Sequence, residues 1–436
     1  MARLPDAVIG DAYRNSIAWK TLTSLVDIEN RMAGQDGERD GAQCIASTFE
    51  EVGLRDVAVE EFEVPGWWRE SSALGLPEQE RSYVQQHQVL SLPGTPKGDQ
   101  SAELVDVGHG TPAEFETADL DGAIAMASSK TPETHDRWIH RKEKYEAAVE
   151  AGAVGFVFRN HVEGCLPPTG GIHQENGPGD IPAVGVSREL GHRLVRHCEG
   201  KPLRATLSVD CRNEKTASRN VSGVLGPDTE QRLLVSAHHD AHDIAEGAED
   251  NGAGSALVCE VARLLSQIED DLTVGVEFVT FGAEEIGLRG SAHMADTRPL
   301  DDIKAIINLD AIGGSRTLAV GTHGFDELTS AFEAVSESLE TPIEVDDEIV
   351  PHSDHWPFVK NGVPGLMAHS ASDSDDRGWG HTHADTLDKL DKRDFRDLAV
   401  LVASGVAELA RDKREPQHVD AKTIEERAKA QGLDIS

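Results

Sequence analysis

The sequence predicts an α/β protein with a mostly parallel or mixed twisted sheet flanked by helices, and a β-rich insertion in its first half. Two observations predict this class. In the second half, short apolar runs alternate with amphipathic helices, as in sheets covered on both faces. Between residues 65 and 135, the chain is instead rich in Gly, Pro and short strand-like runs. Its 436 residues suffice for two or three domains of about 150 residues each.

Apolar spacing predicts the individual elements in order. In the first half, residues 17–52 predict helices interrupted by Gly34–Gly41, and a further helix is expected over 143–151. Strands are predicted at 57–62, 102–107, 123–127, 154–158 and 181–186. In the second half, strands are predicted at 233–237, 274–281, 305–309 and 363–368, with helices at 252–265 and 395–410.

These elements suggest four segments. We expect residues 1–62 and 206–412 to form one catalytic domain, interrupted by an inserted domain at 63–205. The polar residues 413–436 are predicted to be a frayed tail.

The charge and the cysteine content indicate which binding partners and which cellular compartment are expected. With 78 acidic and 41 basic residues, the net charge is −37, so neither nucleic acid nor an anionic membrane is an expected partner. The N-terminus lacks a secretory apolar segment, and five cysteines show no CxxC spacing, so a reducing cytoplasm is expected. The spread of acidic residues and the excess of Arg over Lys resemble cytoplasmic proteins of salt-loving organisms. We hypothesise that the stability of a protein with this halophilic-type surface depends on salt.

Ionisable residues follow the predicted strands of the second half. Carboxyl ends of parallel strands meet at one edge of a sheet, where ligands bind. The residues concerned are His238, Asp240, Asp250, Glu284, Glu285, Asp310 and, farther along, His381. Imidazole and carboxylate are zinc ligands, and one carboxylate can bridge two ions. Of two adjacent glutamates, one can bind an ion while the other accepts a proton.

Four stretches in the same order resemble the co-catalytic di-zinc peptidases of metallopeptidase family 28. This family includes bacterial leucyl aminopeptidases, plasma glutamate carboxypeptidase and glutaminyl cyclases. The stretches are Ser-Ala-His238-His-Asp240 with Asp250 twelve residues after His238, Phe-Gly-Ala-Glu284-Glu285, Ile-Asn-Leu-Asp310, and Ser353-Asp-His-Trp-Pro-Phe followed by His381-Thr-His-Ala-Asp-Thr386. Arg31–Gly34 and Ser218–Val221 also match. Residues 147–158 and 181–186 resemble a protease-associated domain.

The resemblance implies a role for each residue. His238 and His381 would each bind one ion, Asp250 would bridge both, and Glu285 and Asp310 would complete the two ligand sets. Glu284 would accept the proton of a metal-bridged water and later donate it to the leaving amine. Asp240 would orient the imidazole of His238. The expected cofactor is two zinc ions, with cobalt or manganese as alternatives.

Several assignments stay open at this stage. His383 is an alternative to His381, and His355 is expected either to support the site or to be structural. His239 and Gly380 stand where relatives often carry Tyr, so the family's oxyanion donor does not transfer to this sequence.

Among activities on peptides, we prefer an aminopeptidase. A carboxypeptidase or dipeptidase would need an arginine such as Arg289, Arg316 or Arg377. A glutaminyl cyclase and a non-catalytic protein that binds through the protease-associated domain are further alternatives.

Overall fold

The computed structural model describes residues 3–135, 137–174, 177–371, 378–411, 414–433 and 435. The chain forms two compact units. The first comprises Met1–Val64, Ala217–Gly380 and Asp385–Ser436, and the second comprises Pro65–Thr216 and His381–Ala384. None of the helices in the described ranges combines the length and hydropathy needed to cross a bilayer.

Helices and strands alternate along much of the chain. In the described residues, the α-helices are α1 (Asp6–Asn15), α2 (Ala18–Val26), α3 (Asp36–Val52), α4 (Pro112–Thr117), α5 (Arg141–Glu150), α6 (Arg188–Cys198), α7 (Ala253–Ser266), α8 (Arg289–Thr297), α9 (Asp326–Leu339), α10 (Trp356–Val359), α11 (Lys392–Arg411) and α12 (Ala421–Ala430). The strands are β1 (Arg55–Leu76), β2 (Arg81–Tyr83), β3 (Val89–Ser91), β4 (Gly98–Asp106), β5 (Ile124–Ser128), β6 (Gly155–Arg159), β7 (Ala183–Val186), β8 (Leu203–Leu225), β9 (Arg232–His238), β10 (Gly275–Phe281), β11 (Ile303–Leu309), β12 (Leu318–Gly321), β13 (Ile343–Asp346) and β14 (Gly365–Ser370).

The first unit is built on a mixed sheet with the strand order β13-β12-β14-β11-β9-β10, followed by the last part of β8. Strand β9 pairs in parallel with both β10 and β11, and β11 pairs in parallel with β14. The pairs β8–β10 and β12–β14 are antiparallel. Helices flank this sheet, which confirms the predicted α/β class.

Both faces of the central strands are buried, which explains their continuous apolar runs. Leu233, Val235 and Ala237 of β9 belong to the large core that includes residues of α2, α3, α7 and α11. Leu234 lies in a smaller cluster on the other face, where α8 and α10 contribute Met294 and Phe358. The alternation of side chains along a strand distributes these residues between the two cores.

The C-terminal segment differs from the prediction of a frayed tail. Residues 421–430 form helix α12. The side chain of Asp420, the residue before this helix, accepts a hydrogen bond from the Lys422 backbone N–H and caps the helix. Ile424 and Ala428 are one helical turn apart and have 0% exposure within the main core. Burial of this i, i+4 pair holds the segment against the domain.

The second unit contains a further group of paired strands and its own core. The strand order is the first part of β8, then β4-β5-β6-β7-β3, with parallel pairing from β4 to β7. Strand β1 pairs with β2 in an antiparallel hairpin. Helix α5 contributes Tyr145 and Ala148 to the core of this unit.

Candidate metal centre

The predicted ionisable residues of the first unit lie at the carboxyl ends of adjacent strands. Strand β9 ends at His238, which pairs in register with Phe281 at the end of β10. Glu284 and Glu285 follow β10, and Asp310 follows β11 directly. Parallel pairing therefore brings the ends of three sequence-distant strands to one edge of the sheet.

Three of these residues form a compact ligand cluster. His238 Nε2 is 3.3 Å from Asp250 Oδ1 and 3.5 Å from Asp310 Oδ1. In a tetrahedral site with metal–ligand bonds of about 2.0–2.2 Å, ligand atoms are separated by about 3.3–3.6 Å. The observed separations match that range, so these donors fit a zinc ion.

Asp240 contacts His238 and also holds the turn that follows β10. The Nδ1 atom of His238 is 3.2 Å from the Asp240 carbonyl oxygen and 3.4 Å from Asp240 Oδ1. An Nδ1–H donor in this contact leaves Nε2 available to bind a metal. The two carboxylate oxygens of Asp240 accept hydrogen bonds from the backbone N–H groups of Glu284 and Glu285, at 3.1 and 3.2 Å.

The cluster concentrates negative charge. Desolvation raises the pKa of Glu284 well above its usual value, and nearby Glu285, Asp310 and Asp354 raise it further against the opposing effect of His238. Burial alone lowers the pKa of His238, but the surrounding carboxylates outweigh burial and raise it well above the usual value. Such an arrangement has the electrostatic character of a site for multivalent cations.

A chain of hydrogen bonds fixes the carboxylate of Asp310. Ser353 Oγ donates to Asp310 Oδ2 at 2.5 Å, while Asn308 Nδ2 donates to Ser353 Oγ at 2.8 Å. Ser236 Oγ donates in turn to Asn308 Oδ1 at 2.8 Å. Because Oδ2 is engaged in this way, Oδ1 is the atom that faces His238.

The backbone that carries Asp250 is held by a second carboxylate. Asp385 accepts hydrogen bonds from the backbone N–H groups of Glu249 and Asp250, at 2.8 and 3.1 Å. Asn251 Nδ2 donates to the carbonyl of Leu309 at 2.8 Å, which ties the same turn to the end of β11. Burial raises the pKa of Asp385 to about 6.

The two outlying motifs also lie beside this region. Arg31, 1% exposed, donates to the carbonyls of Leu25, His239, Glu246 and Gly247 at 2.7–3.0 Å. Thus Arg31 holds both ends of the loop that follows β9. Ser218 donates to Glu38, which also accepts from the backbone N–H of Gly34 at 2.9 Å. This contact joins the Arg31–Gly34 and Ser218–Val221 segments.

The contacts of His355 bear on the two roles expected for it. The ring lies in a buried pair, with Nε2 3.1 Å from His323 Nε2 and 2.9 Å from the carbonyl of Val350. Burial lowers the pKa of His355 well below its usual value, so the ring is neutral. These contacts are those of a structural histidine, and a role of His355 in supporting the site stays a prediction.

His381 and His383 belong to the short segment that clusters with the second unit. The Nδ1 atom of His381 is 3.2 Å from the Thr169 carbonyl oxygen and 3.3 Å from Arg141 Nη1. The Thr169 backbone N–H donates to the His381 carbonyl at 2.9 Å, so the two residues pair reciprocally. Burial lowers the pKa of His383, whose ring contacts the Cys165 backbone.

Of the arginines considered for a substrate carboxylate, Arg316 pairs with Asp394 and Asp397 of α11, at 3.4 and 3.1 Å. Arg289 Nε donates to the Ile286 carbonyl at 3.3 Å. Arg377 lies outside the described residues.

Sequence reasoning missed one imidazole at this centre. His242 Nε2 is 2.8 Å from Glu285 Oε2, and both side chains are buried, with exposures of 5% and 2%. The only sequence signal was its place in the histidine-rich run that begins at His238. His239 in the same run is different, since its Nδ1 lies 3.2 Å from Thr280 Oγ1 and burial lowers its pKa to about 4.

Comparisons with known proteins agree with this geometry. Residues 220–406 match peptidase family M28, and residues 100–194 match the PA domain. The chain is 30% identical to aminopeptidase YwaD of Bacillus subtilis (strain 168) over 438 residues, which covers 97% of this chain and 90% of the relative. It is 28% identical over 367 residues to leucine aminopeptidase 2 of Trichophyton rubrum, covering 77% of this chain and 68% of that protein. The structure of BSAP, a zinc aminopeptidase from Bacillus subtilis, aligns with a TM-score of 0.71 and 26% identity, covering 92% and 96% of the two chains. These matches confirm the family resemblance of the motifs.

Proposed function

Because the chain belongs to peptidase family M28, we propose that its buried His–carboxylate cluster is the catalytic centre of a two-metal aminopeptidase. The chain is a metal-dependent hydrolase of peptide bonds, its relatives are aminopeptidases, and zinc is the metal of its structural neighbour. The observation that carries the assignment is the spacing of the His238, Asp250 and Asp310 ligand atoms at one sheet edge.

We propose that His238 and Asp310 hold the first ion and that Asp250 bridges to a second ion. Glu285 and His381 would hold that second ion. The His238 contacts support the first set, and the motif positions support the assignment of Glu285 and His381. In His381, the contact of Nδ1 with the Thr169 carbonyl leaves Nε2 as the donor atom.

Glu284 is the proposed proton carrier. When bound, the two ions polarise the scissile carbonyl and lower the pKa of the attacking water. Glu284 accepts the proton of that water and then donates it to the leaving amine. The Glu284 backbone N–H donates a hydrogen bond to Asp240, which fixes the main-chain position from which the Glu284 side chain extends. The many carboxylates of the cluster also suit a substrate with a free ammonium group, which favours an aminopeptidase over a carboxypeptidase.

The decisive experiment compares Glu284→Gln with the wild type for both turnover and metal content. We expect two zinc ions per chain in both proteins and a roughly 10²–10⁴-fold loss of turnover in the variant. Substrates would be aminoacyl amides with a free amine and the same amides with a blocked amine. Glu50→Gln, an exposed glutamate on α3, is the matched control and should keep full activity. Full activity of Glu284→Gln, or cleavage of blocked amides only, would contradict the proposal.

Three further properties belong to the same proposal. We infer a cytoplasmic location because the chain has only five cysteines and they show no CxxC spacing. We infer salt-dependent stability from the net charge of −37. The inserted domain is assigned to residues 63–205 because residues 147–158 and 181–186 resemble a protease-associated domain.

A further inference from the structure

We infer that Arg141 is a positioning residue that holds the loop 169–171 of the second unit and, through this loop, fixes the orientation of the His381 imidazole. The inference rests on the proposed function, in which His381 is a metal ligand, and it adds a residue that the peptidase motifs do not include. The observation that carries it is a pair of hydrogen bonds from the Arg141 guanidinium to this loop. Nη1 donates to the Thr169 carbonyl at 3.3 Å, and Nη2 donates to the Gly171 carbonyl at 3.1 Å.

The start of helix α5 fixes the origin of the Arg141 side chain. Arg141 is the first residue of this helix, and the backbone N–H of His140 donates to the Glu143 carboxylate at 2.9 Å as part of a capping box. Tyr145 follows one turn later on the same face and is buried in the core of the second unit. Arg141 itself is 7% exposed, so water competes little for its hydrogen bonds.

The loop is shaped around this guanidinium. Gly170 has a φ of +132°, a backbone conformation that residues with a side chain rarely adopt. A β-carbon at this position would overlap the Arg141 guanidinium. Glycine therefore allows the main chain to approach the arginine closely enough for the carbonyls on both sides of it to accept hydrogen bonds.

Thr169 connects the arginine to His381. The Thr169 backbone N–H donates to the His381 carbonyl at 2.9 Å, and the Thr169 carbonyl oxygen is 3.2 Å from His381 Nδ1. Arg141 Nη1 also lies 3.3 Å from the same Nδ1 atom. Because one nitrogen of a neutral imidazole either donates or accepts, the contacts with Thr169 and with Arg141 favour opposite tautomers.

The proposed role of His381 as a ligand requires one of these tautomers. A neutral imidazole that binds zinc through Nε2 carries its proton on Nδ1, and this N–H donates to the Thr169 carbonyl. A carbonyl oxygen has two lone pairs, so it can accept from His381 and from Arg141 together. The arginine therefore acts on the ligand through the carbonyl, because it keeps that acceptor in place.

The test is a measurement of stepwise zinc affinity on the full-length protein by competition with a chromophoric chelator. We expect Arg141→Met to weaken one zinc ion about 10–100-fold and to leave the other unchanged. Gly170→Ala, which keeps the arginine but displaces it, should weaken the same ion. Lys144→Met is the matched control, because Lys144 lies on the same helix, is 1% exposed and donates to the Ser128 carbonyl at 2.8 Å. Both zinc affinities of this control should equal those of the wild type.

A double-mutant cycle separates positioning of His381 from a general loss of structure. In a His381→Ala background the group that Arg141 positions is gone, so the addition of Arg141→Met should not weaken the remaining zinc ion further. A further loss in the double variant would show that the arginine supports the fold and not His381.

The other outcomes also overturn the inference. Unchanged affinities in Arg141→Met or in Gly170→Ala would show that the loop does not position His381. Equal weakening of both ions, or the same loss in Lys144→Met, would indicate a general effect on the second unit. Failure of the proposed function gives a different result, because the wild type would then hold fewer than two zinc ions, or His381→Ala would keep both.

Discussion

Replacement of Arg31 by Met should destabilise the first unit strongly, although Arg31 touches none of the proposed ligand atoms. Its guanidinium is 1% exposed and donates to four backbone carbonyls, including those of His239, Glu246 and Gly247. Desolvation lowers its pKa to about 10, so the group is still charged at neutral pH. The substitution removes all four bonds at once.

The expected loss in the free energy of unfolding follows from the hydrogen bonds that the four carbonyls lose. Each buried acceptor left without a partner costs about 1–3 kcal/mol, so four give a gross cost of about 4–12 kcal/mol. Relief from burying the charge of Arg31 offsets part of this cost. We therefore expect Arg31→Met to lower the free energy of unfolding by about 4 kcal/mol, the lower end of this range. Arg31→Lys, which keeps the charge but lacks the planar fork, should lose about half as much.

Equilibrium urea unfolding at constant high salt measures this difference. Arg39→Met is the control, because Arg39 is 52% exposed and pairs with Asp36 on the surface of α3 at 2.9 Å. Such pairs contribute about 0–1 kcal/mol. If Arg31→Met lies within 1 kcal/mol of the control, the four carbonyls find other partners and the reasoning about this loop is wrong.

Three further predictions concern the surroundings of the centre and the surface. Asp385→Asn should weaken zinc binding about 10–100-fold in a chelator competition, because one of the backbone N–H groups at Glu249 and Asp250 loses its acceptor. Burial raises the pKa of Glu38 from 4.5 to about 8, so the folded chain holds a proton that the unfolded chain releases. Stability should therefore fall as pH rises from about 5 to 8, and Glu38→Gln should flatten this slope in urea titrations; an unchanged slope would contradict the assignment. Dilution from molar to low salt should lower the melting temperature, since the net charge of −37 is then less screened; an unchanged value would exclude a salt-dependent surface.

Periodicity in the sequence predicted the strands and helices that form the centre of the first unit. Strands β9, β10 and β11 were predicted because both their faces are buried, and a continuous apolar run is the signature of that environment. Edge strand β13 was missed, since its residues alternate between partly buried and exposed and its run is only four residues long. Helix α9 was overlooked although Leu328, Ala331, Phe332 and Val335 have the required helical spacing.

Some residues of the candidate site can be predicted from the sequence and others cannot, for an equally physical reason. Ligand-type residues at strand ends were predicted because chemistry and position coincide in the sequence. The roles assigned to them, and the domain boundaries, stay predictions. Residues that act through main-chain contacts, such as Arg31 and Asp385, have no such signature. Their partners are carbonyl and N–H groups, which every residue carries, so only the folded chain reveals which of them a side chain reaches.

The arrangement around Asp240 explains why the centre depends on so many residues that bind no metal. The carboxylate of Asp240 contacts His238 on one side and the backbone N–H groups of Glu284 and Glu285 on the other. One buried group therefore contacts a proposed ligand of each ion and the proposed proton carrier. A shift of that group would displace all three together, and misplacement by about 1 Å is enough to cost about 10²-fold in rate. The hydrogen bonds from Arg31 to this loop thus preserve the geometry of the centre as well as the stability of the fold.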